Sequence, residues 1–207
     1  MNHFLIGIAG GSGCGKSTLS HELIGKYPDL IEVVHLDDYQ KEKTDVPIFK
    51  GMRNWDHPDA INFEQLYSDL IKLKNDKAVE VMTKSSILNP AYEERGRIKH
   101  ILKPKKIIIV EGYMTLYDKK IRDLFDLKIF LEIPITKSMK RRDKVTHNDE
   151  SEYNNKILIP MHIKFVEPTK KIADLSIDAV KNNKNEVLKI VCDKLNELKL
   201  LPLGPCS

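Results

Sequence analysis

The most informative segment of the chain is residues 10–17, Gly10-Gly11-Ser12-Gly13-Cys14-Gly15-Lys16-Ser17. It fits the pattern G-x-x-x-x-G-K-[ST], it follows an apolar run at residues 3–9, and a helical pattern opens at Lys16. This context makes the motif informative, because glycines let successive backbone N–H groups curl around a phosphate at a helix N-terminus. We therefore predict a phosphate-binding loop whose nucleotide-binding residues are Gly10, Gly11, Ser12, Gly13, Cys14, Gly15, Lys16, Ser17 and Thr18.

Beyond this loop, short runs typical of β-strands alternate with helical patterns. We predict strands over residues 3–9, 31–36, 107–111, 127–133 and 174–178, and helices over residues 16–26, 62–74 and 184–199. Alternation of this kind implies right-handed crossovers and a mostly parallel sheet with helices on both faces. The prediction is an α/β, three-layer P-loop NTPase fold in one domain over residues 1–207, with ligands beyond the carboxyl ends of the strands.

Composition narrows the classes of protein and of partner. The chain has 34 Lys+Arg and 30 Asp+Glu, a net charge of +4 and 41% hydrophobic residues. This balance fits a globular domain and lacks the basic stripe that nucleic acid requires. The apolar runs are far shorter than the ~20 residues that cross a bilayer, and the N-terminus lacks a signal-peptide pattern. Cys14, Cys192 and Cys206 have no short metal-ligand spacing, which argues against a zinc site and for reduced thiols. We expect a cytoplasmic protein that binds neither nucleic acid nor membranes.

Two polar stretches do not fit the alternation of strands and helices. Residues 37–60 contain Pro47, Gly51 and Pro58 and are long for an ordinary connection, which predicts a functional loop or a small insertion. Residues 143–156 are almost wholly polar. They are interpreted either as a solvated surface loop or as a mobile lid over a phosphate site.

Carboxylates follow two of the predicted strands. Asp37 and Asp38 come directly after the strand at residues 31–36, on the same rim of the sheet as the phosphate loop. One such group can orient an attacking hydroxyl and accept its proton, and capping of a local turn is the alternative. Glu111 ends an apolar strand, where an isolated carboxylate is costly unless it is paired or bound to a cation. These features predict a Mg²⁺ site formed by Ser17, Glu111 and Asp37.

A phosphate loop alone does not separate kinases from GTPases and mechanical ATPases. A GTPase would carry an [NT]-K-x-D segment, but the nearest match, Asn183-Lys184-Asn185-Glu186, ends in Glu. A motor-type ATPase would end its second acidic strand in Asp-Glu, whereas this strand ends in Glu111-Gly112. A kinase is therefore favoured, with Lys16 as the catalytic lysine that reaches the β- and γ-phosphates of the donor.

These motifs resemble those of uridine kinases, in the wider group that includes phosphoribulokinases, pantothenate kinases and nicotinamide riboside kinases. The resemblance covers most of the chain. The stretches that carry it are IGIAGGSGCGKSTL, HLDDYQ, NWDHPDAINFEQL, IIIVEGYMTLYDKKIRDLFDLKIFLEIP and IPMHIKFVEPTKKIADLSI. It implies a kinase that uses ATP and Mg²⁺ and phosphorylates the 5′-hydroxyl of a ribonucleoside, with uridine or cytidine as the leading acceptor. It also implies that residues 37–60 bind the acceptor and that residues 143–156 form the lid.

The resemblance also implies roles for single residues. Asp37 matches the general base, Glu111 the carboxylate associated with Mg²⁺, and Asp56 the acid that binds the ribose hydroxyls. Arg142 matches the second arginine of a pair that begins the lid, where it would stabilise charge on the transferring phosphoryl group. Trp55 stands where relatives carry an aromatic residue that can stack on the base, and packing in the core or in a groove is the alternative.

The chain departs from the uridine kinase pattern at two places. The motif that reads the pyrimidine, Tyr-x-Tyr/Phe followed by His-x-Arg, is represented only by Arg95, and the short lid offers His147, Asn148, Asp149 and Glu150. A site without the matching buried donors discriminates weakly between analogues. The alternatives are therefore a nicotinamide riboside kinase, a kinase of another small alcohol, or an ATP-binding regulator without acceptor chemistry. Relatives assemble into dimers or tetramers, so a homo-oligomer is also open.

Overall fold

The computed structural model describes residues 3–85, 88–146 and 151–202. The strands are β1 (Phe4–Gly10), β2 (Ile31–His35), β3 (Ile48–Phe49), β4 (Met52–Arg53), β5 (Val79–Thr83), β6 (Ile98–Leu102), β7 (Ile107–Glu111), β8 (Leu127–Glu132) and β9 (Leu175–Asp178). The α-helices are α1 (Lys16–Lys26), α2 (Phe63–Lys74), α3 (Tyr92–Arg95), α4 (Lys119–Arg122), α5 (Ile135–Thr146), α6 (Ser151–Tyr153), α7 (Ile159–Met161) and α8 (Lys184–Glu197).

The central sheet has five parallel strands in the order β2-β7-β1-β8-β9. Its inner strands are apolar and β-branched, as in Ile107-Ile108-Ile109-Val110, and all four of these side chains are buried. Such runs are typical of parallel strands that are covered on both faces. Every strand that was predicted from the sequence belongs to this sheet, and the predicted α/β class is confirmed.

Helices cover both faces of the sheet and create two cores. On one face, Leu19 and Leu23 of α1 pack with Val191 and Leu195 of α8 against the sheet. On the other face, the buried side of α2 packs with the helical segment at residues 151–172. The predicted three-layer arrangement is therefore present in the part of the chain that the structure describes.

Local side-chain chemistry fixes where two of the helices begin. The Asn62 side chain accepts a hydrogen bond from the Gln65 backbone N–H at 3.1 Å and caps α2. Asn183 and Glu186 form a reciprocal capping box at the start of α8. Caps of this kind satisfy backbone donors that have no partner inside the helix.

Several elements were not predicted. Strands β5 and β6 form an antiparallel hairpin beside the main sheet, and β3 and β4 form a smaller one inside residues 37–60. Residues 143–146 end α5, and residues 151–156 begin a helical segment that contains π-helical turns at Asn154–Leu158 and His162–Val166. The surface-loop interpretation is therefore wrong for these parts of the stretch 143–156. His147, Asn148, Asp149 and Glu150 lie outside the described residues.

Two further observations bear on the sequence predictions. Cys14 is a buried free thiol, whereas Cys192 is disulfide-bonded, so the prediction of reduced thiols is wrong for Cys192. Among the described residues, no helix is long and apolar enough to cross a membrane. The cytoplasmic location stays a prediction.

The centre of the sheet gives a test of packing. A Cβ atom on Gly7 of β1 would lie 2.5 Å from Phe125 Cδ2 and 3.0 Å from Leu116 Cδ2. Because both neighbours are buried, Gly7→Ala is expected to lower the free energy of unfolding by about 1–3 kcal/mol. Urea denaturation measures the change. Gly25→Ala is the control, since a Cβ there meets nothing within 4 Å and alanine in helix α1 should stabilise by about 0.5–1 kcal/mol. Equal effects at the two glycines would contradict this account.

Candidate active site

One cavity of about 840 Å³ lies at the carboxyl edge of the central sheet. The phosphate loop and the ends of β2 and β7 meet there, as expected for an open parallel sheet. The residues that line it are Ser12, Gly13, Lys16, Ser17, Asp37, Gln40, Lys41, Glu42, Lys43, Trp55, Asp56, Lys84, Tyr92, Arg97, Glu111, Gly112, Tyr113, Tyr153, Leu158, His162 and Val166.

The phosphate loop has the backbone that its glycines allow. Gly10 has φ 147°, and a Cβ atom there would collide with the Leu131 carbonyl oxygen, so glycine is required. Gly15 precedes α1 in the left-handed conformation, with φ 98°. The backbone N–H groups of the loop therefore lie next to the N-terminus of α1, where the helix dipole favours an anion.

Lys16 lies inside this loop, and only 9% of the residue is exposed. Its ammonium group donates hydrogen bonds to the carbonyl oxygens of Gly10 at 2.9 Å and of Gly11 at 3.0 Å. The Cys14 sulfur is a further neighbour at 3.7 Å. The positive charge is thus held at the wall of the cavity, within the loop that would surround a phosphate.

Ser17, Glu111 and His35 form a hydrogen-bonded cluster at the same rim. The Ser17 hydroxyl donates to Glu111 Oε1 at 3.1 Å, and His35 Nδ1 lies 2.7 Å from the same oxygen. Burial alone would raise the pKa of Glu111, but the hydrogen bonds from His35 and Ser17 and the charge of Lys16 outweigh it and lower that pKa. Burial would lower the pKa of His35, and the Glu111 carboxylate reverses this effect and raises it. Glu111 is therefore held as a carboxylate at the edge of the cavity.

The two neighbouring aspartates have different surroundings. They lie in a 3-10 turn, Leu36–Tyr39, directly after β2. Asp38 Oδ1 accepts the Lys84 backbone N–H at 2.9 Å, and burial raises the pKa of Asp38. Asp37 is exposed and lines the cavity. Asp38 thus ties the turn to the β5–β6 hairpin, and Asp37 is the aspartate of the pair that faces the ligand space.

Trp55 and Asp56 are held at the cavity by two tyrosines. The Tyr113 hydroxyl donates to the Trp55 carbonyl oxygen at 2.6 Å, and the Tyr153 hydroxyl donates to Asp56 Oδ2 at 2.6 Å. The Trp55 backbone N–H donates in turn to the Tyr153 hydroxyl at 3.1 Å. Burial, followed by the negative charges of Asp56 and Asp37, raises the pKa of Tyr113. The phenol therefore stays protonated and can keep donating its hydrogen bond.

Three of the predicted site residues are not seen at the cavity. Arg95 and Thr18 do not line it, and the side chain of Arg142 lies outside the described residues. Arg95 ends α3, and it is exposed and does not line the cavity. Arg142 belongs to α5, and its side chain lies outside the described residues. Its neighbour Arg141 donates to the carbonyl oxygens of Gly13 and Ala179, both at 3.3 Å. Thr18 is exposed on α1, one position beyond Ser17.

Sequence reasoning missed several of the lining residues. Tyr113 follows Glu111 and Gly112 after β7, so the rule that ligands bind beyond strand ends could have identified it. Tyr153 and His162 come from the helical segment at residues 151–172, and Lys84 and Arg97 come from the β5–β6 hairpin. The hairpin was not predicted, and a helix within IPMHIKFVEPTKKIADLSI was implied only by the resemblance to uridine kinases.

The parallel sheet, the glycine loop and the acidic strand ends define the class of P-loop phosphotransferases. The family model of the phosphoribulokinase/uridine kinase family matches residues 5–186. The chain belongs to this family.

Curated relatives match over most of their length. The chain is 34% identical over 190 residues to a uridine kinase of Clostridium tetani. The matched residues cover 87% of this chain and 88% of the relative. The chain is also 34% identical over 204 residues to a uridine kinase of Staphylococcus aureus. Here the matched residues cover 94% of this chain and 96% of the relative.

Solved structures share the fold. A protein described as a possible uridine kinase from Bacillus stearothermophilus has a TM-score of 0.62 at 20% identity and covers 86% of this chain and 90% of its own. Shikimate kinase from Acinetobacter baumannii has a TM-score of 0.51 at 13% identity and covers 96% of both chains.

Proposed function

We propose that the protein transfers the γ-phosphoryl group of ATP to the 5′-hydroxyl of a ribonucleoside, with uridine or cytidine as the acceptor. One observation carries this proposal: a single cavity is lined by Lys16 and Ser17 of the phosphate loop, by Asp37, and by Trp55 and Asp56. The residues proposed to bind the phosphate donor and those proposed to bind the acceptor thus line the same cavity. The curated relatives named as uridine kinases support a nucleoside as the acceptor.

The donor side would hold ATP through its phosphates. The Lys16 ammonium group, which donates to two loop carbonyl oxygens, would turn toward the β- and γ-phosphates. Arg142 of α5 would add positive charge where the phosphoryl group is transferred, the role that the resemblance to uridine kinases implies for it.

A magnesium ion fits the donor set. The Ser17 hydroxyl and the Glu111 carboxylate lie within 3.1 Å of each other at the cavity, and Asp37 lines the same cavity. The described residues contain no group of three or more His, Cys, Asp and Glu side chains that would form an all-protein cage. Mg²⁺ commonly binds one or two carboxylates together with water and substrate phosphates, so Ser17, Glu111 and Asp37 would hold it. When bound, the ion neutralises charge on the phosphate oxygens.

Asp37 would act as the general base. Its carboxylate would accept a hydrogen bond from the 5′-hydroxyl and then take the proton as the oxygen attacks the γ-phosphorus. A new oxygen–phosphorus bond forms, the bond from that phosphorus to the bridging oxygen of ADP breaks, and the proton stays on Asp37. Lys16 and Arg142 would stabilise the charge that develops on the phosphoryl oxygens.

The acceptor side would recognise the ribose and the base. Asp56 would accept hydrogen bonds from the vicinal 2′- and 3′-hydroxyls, and Trp55 would stack on the base. The hydrogen bonds from Tyr113 and Tyr153 to this pair support the proposal, because they fix the backbone and the carboxylate that the ribose would meet. Arg95 was predicted to contact the base, and its exposed position at the end of α3 gives this role no support.

Asp56→Asn is expected to raise KM for uridine about 10- to 100-fold, because a hydrogen bond to a charged group contributes about 1.5–3 kcal/mol. KM for ATP should stay within about twofold. Steady-state kinetics with uridine and with 2′,3′-dideoxyuridine measure the effect. The dideoxynucleoside lacks both hydroxyls, so the variant and the parent enzyme should use it equally poorly. A similar loss with both acceptors would show that Asp56 does not bind the ribose.

The proposed function is tested by ADP release with ATP and Mg²⁺ over a panel of acceptors: uridine, cytidine, nicotinamide riboside and small alcohols. We expect ADP formation that depends on uridine or cytidine, with the nucleoside 5′-monophosphate as the second product. Turnover with only nicotinamide riboside or only a small alcohol would show that this compound, and not uridine or cytidine, is the acceptor. Tight ATP binding without acceptor-dependent ADP across the panel would contradict the kinase and favour an ATP-binding regulator.

A further inference from the structure

Arg97, the residue directly before β6, reaches the turn that carries Asp37. Its Nη1 donates to the carbonyl oxygen of Asp38 at 2.8 Å and to that of Met82 at 3.0 Å. Its Nη2 donates longer hydrogen bonds to the carbonyl oxygens of Asp37 at 3.4 Å and Gln40 at 3.5 Å. One guanidinium group thus gathers the carbonyl groups of the turn and joins them to β5.

The chemistry of arginine suits this arrangement. A guanidinium group is planar and carries five N–H donors in a fixed fork, so it can bind several carbonyl oxygens at once. A lysine ammonium group is a compact point charge on a flexible stem and cannot reproduce the fork. Arg97 is also partly buried at the cavity wall, where water competes less for its donors.

Other contacts hold the same turn from the opposite side. The Tyr39 hydroxyl donates to Asp69 Oδ2 of α2 at 3.3 Å, and the Asn62 N–H donates to the Tyr39 carbonyl oxygen at 2.8 Å. On the hairpin side, the Lys84 amine donates to Gln40 Oε1 at 2.6 Å. The turn therefore lies between α2 and the hairpin. Arg97 is the side chain that binds the carbonyl groups of Asp37 and Asp38, and the Gln40 backbone N–H also donates to the Asp37 carbonyl oxygen at 3.3 Å.

We propose that Arg97 is a positioning residue for Asp37: it fixes the backbone of the turn so that the Asp37 carboxylate stays directed into the cavity. The inference rests on the proposed function in that Asp37 is taken as the general base. Positioning of this kind matters because a displacement of about 1 Å, even from a change away from the reacting atoms, can reduce the rate about 100-fold. The side chain itself binds the turn, so it need not touch the acceptor.

The first experiment compares Arg97→Met and Arg97→Lys in the full chain. Arg97→Met is expected to lower kcat about 10- to 100-fold, while KM for ATP and for uridine each change less than about threefold. Arg97→Lys should recover only a minor part of kcat, since it keeps the charge and loses the fork. Lys99→Met is the matched control, because Lys99 lies on the same strand, its side chain is 72% exposed, and it pairs with Glu80 at the surface. Its kcat should equal that of the parent enzyme.

A double-mutant cycle with Asp37→Asn separates positioning from a general loss of stability. If Arg97 acts through Asp37, Arg97→Met should lower kcat less than about threefold in the Asp37→Asn background, although it costs tenfold or more alone. Multiplicative losses would overturn the proposal, and so would a rise of KM for uridine at unchanged kcat, which would make Arg97 a substrate contact.

Chemical rescue gives a second measurement if Arg97→Met folds poorly. Guanidinium chloride at tens of millimolar should raise the kcat of Arg97→Ala severalfold, and methylammonium should not. Absence of rescue in a folded Arg97→Ala protein that binds ATP would count against the proposal. Full activity of Asp37→Asn alone would instead overturn the assignment of the base, so the two failures are distinguishable.

Discussion

Replacing Asp37 by asparagine is expected to lower kcat by ~10²–10⁴-fold, the usual contribution of a positioned general base. Asparagine keeps the shape of the side chain and can still contact the acceptor, but it cannot take the proton of the 5′-hydroxyl. Because Lys16, the loop backbone and the two other proposed Mg²⁺ ligands, Ser17 and Glu111, are unchanged, the dissociation constant of a non-hydrolysable ATP analogue should stay within about threefold. Steady-state kinetics and calorimetry measure the two quantities.

Asp45→Asn is the control for this substitution. Asp45 is an exposed aspartate in the same stretch of residues 37–60 and does not line the cavity. Its loss removes the same charge, and kcat should not change. An Asp37→Asn protein with the kcat of the parent would remove Asp37 from the mechanism, and equal losses in both variants would point to net charge in place of proton transfer.

Lys16→Met is expected to reduce kcat/KM for ATP at least about 100-fold, because a donor aimed at developing charge typically contributes 10²–10³-fold. Both the affinity for the nucleotide and the rate should fall, since the ammonium group would touch the phosphates in the ground state and in the transition state. This pattern differs from that of Asp37→Asn, for which nucleotide binding survives. Isothermal calorimetry with the ATP analogue and single-turnover kinetics distinguish the two.

Lys189→Met serves as the control for the lysine substitution. Lys189 lies on α8, its side chain is 71% exposed, and it pairs with Asp193 at the surface. Its replacement should leave both affinity and rate unchanged. If Lys16→Met retained the nucleotide affinity and the rate of the parent enzyme, the assignment of residues 10–17 as the donor site would be wrong.

Much of the architecture was predictable because its signals are local. Strands such as Ile107-Ile108-Ile109-Val110 are buried on both faces and show continuous β-branched runs. The capping residue Asn183 and the apolar stripe that follows it predict helix α8. The site could be outlined from the same reasoning, since Ser17 and Asp37 follow strands β1 and β2, Glu111 ends β7, and these strands end at one edge of the sheet. Strand β5 alternates buried and exposed residues, and the run Val79-Glu80-Val81 shows part of this alternation in the sequence.

The remaining part of the site could not be predicted for a physical reason. Arg97 binds backbone carbonyl groups, and every residue offers one, so its partners leave no trace in the sequence. Arg95 and Arg97 are the same residue type two positions apart, and only the fold determines that Arg97 lines the cavity while Arg95 does not. Tyr153 reaches Asp56 across 97 positions of the chain, a contact that depends on how the helical segment packs on the sheet.

The order of strands in the sheet has a consequence for synthesis on the ribosome. Strand β1 is central, and both of its neighbours come late in the chain, with Phe4 opposite Ile107 and Ile6 opposite Leu127. For about the first hundred residues of translation, the glycine loop and its strand therefore have no sheet to join. Such distant pairings slow folding, because the loop must close before its contacts form. The apolar residues of β1 are therefore expected to stay without their sheet partners until β7 and β8 have been synthesised.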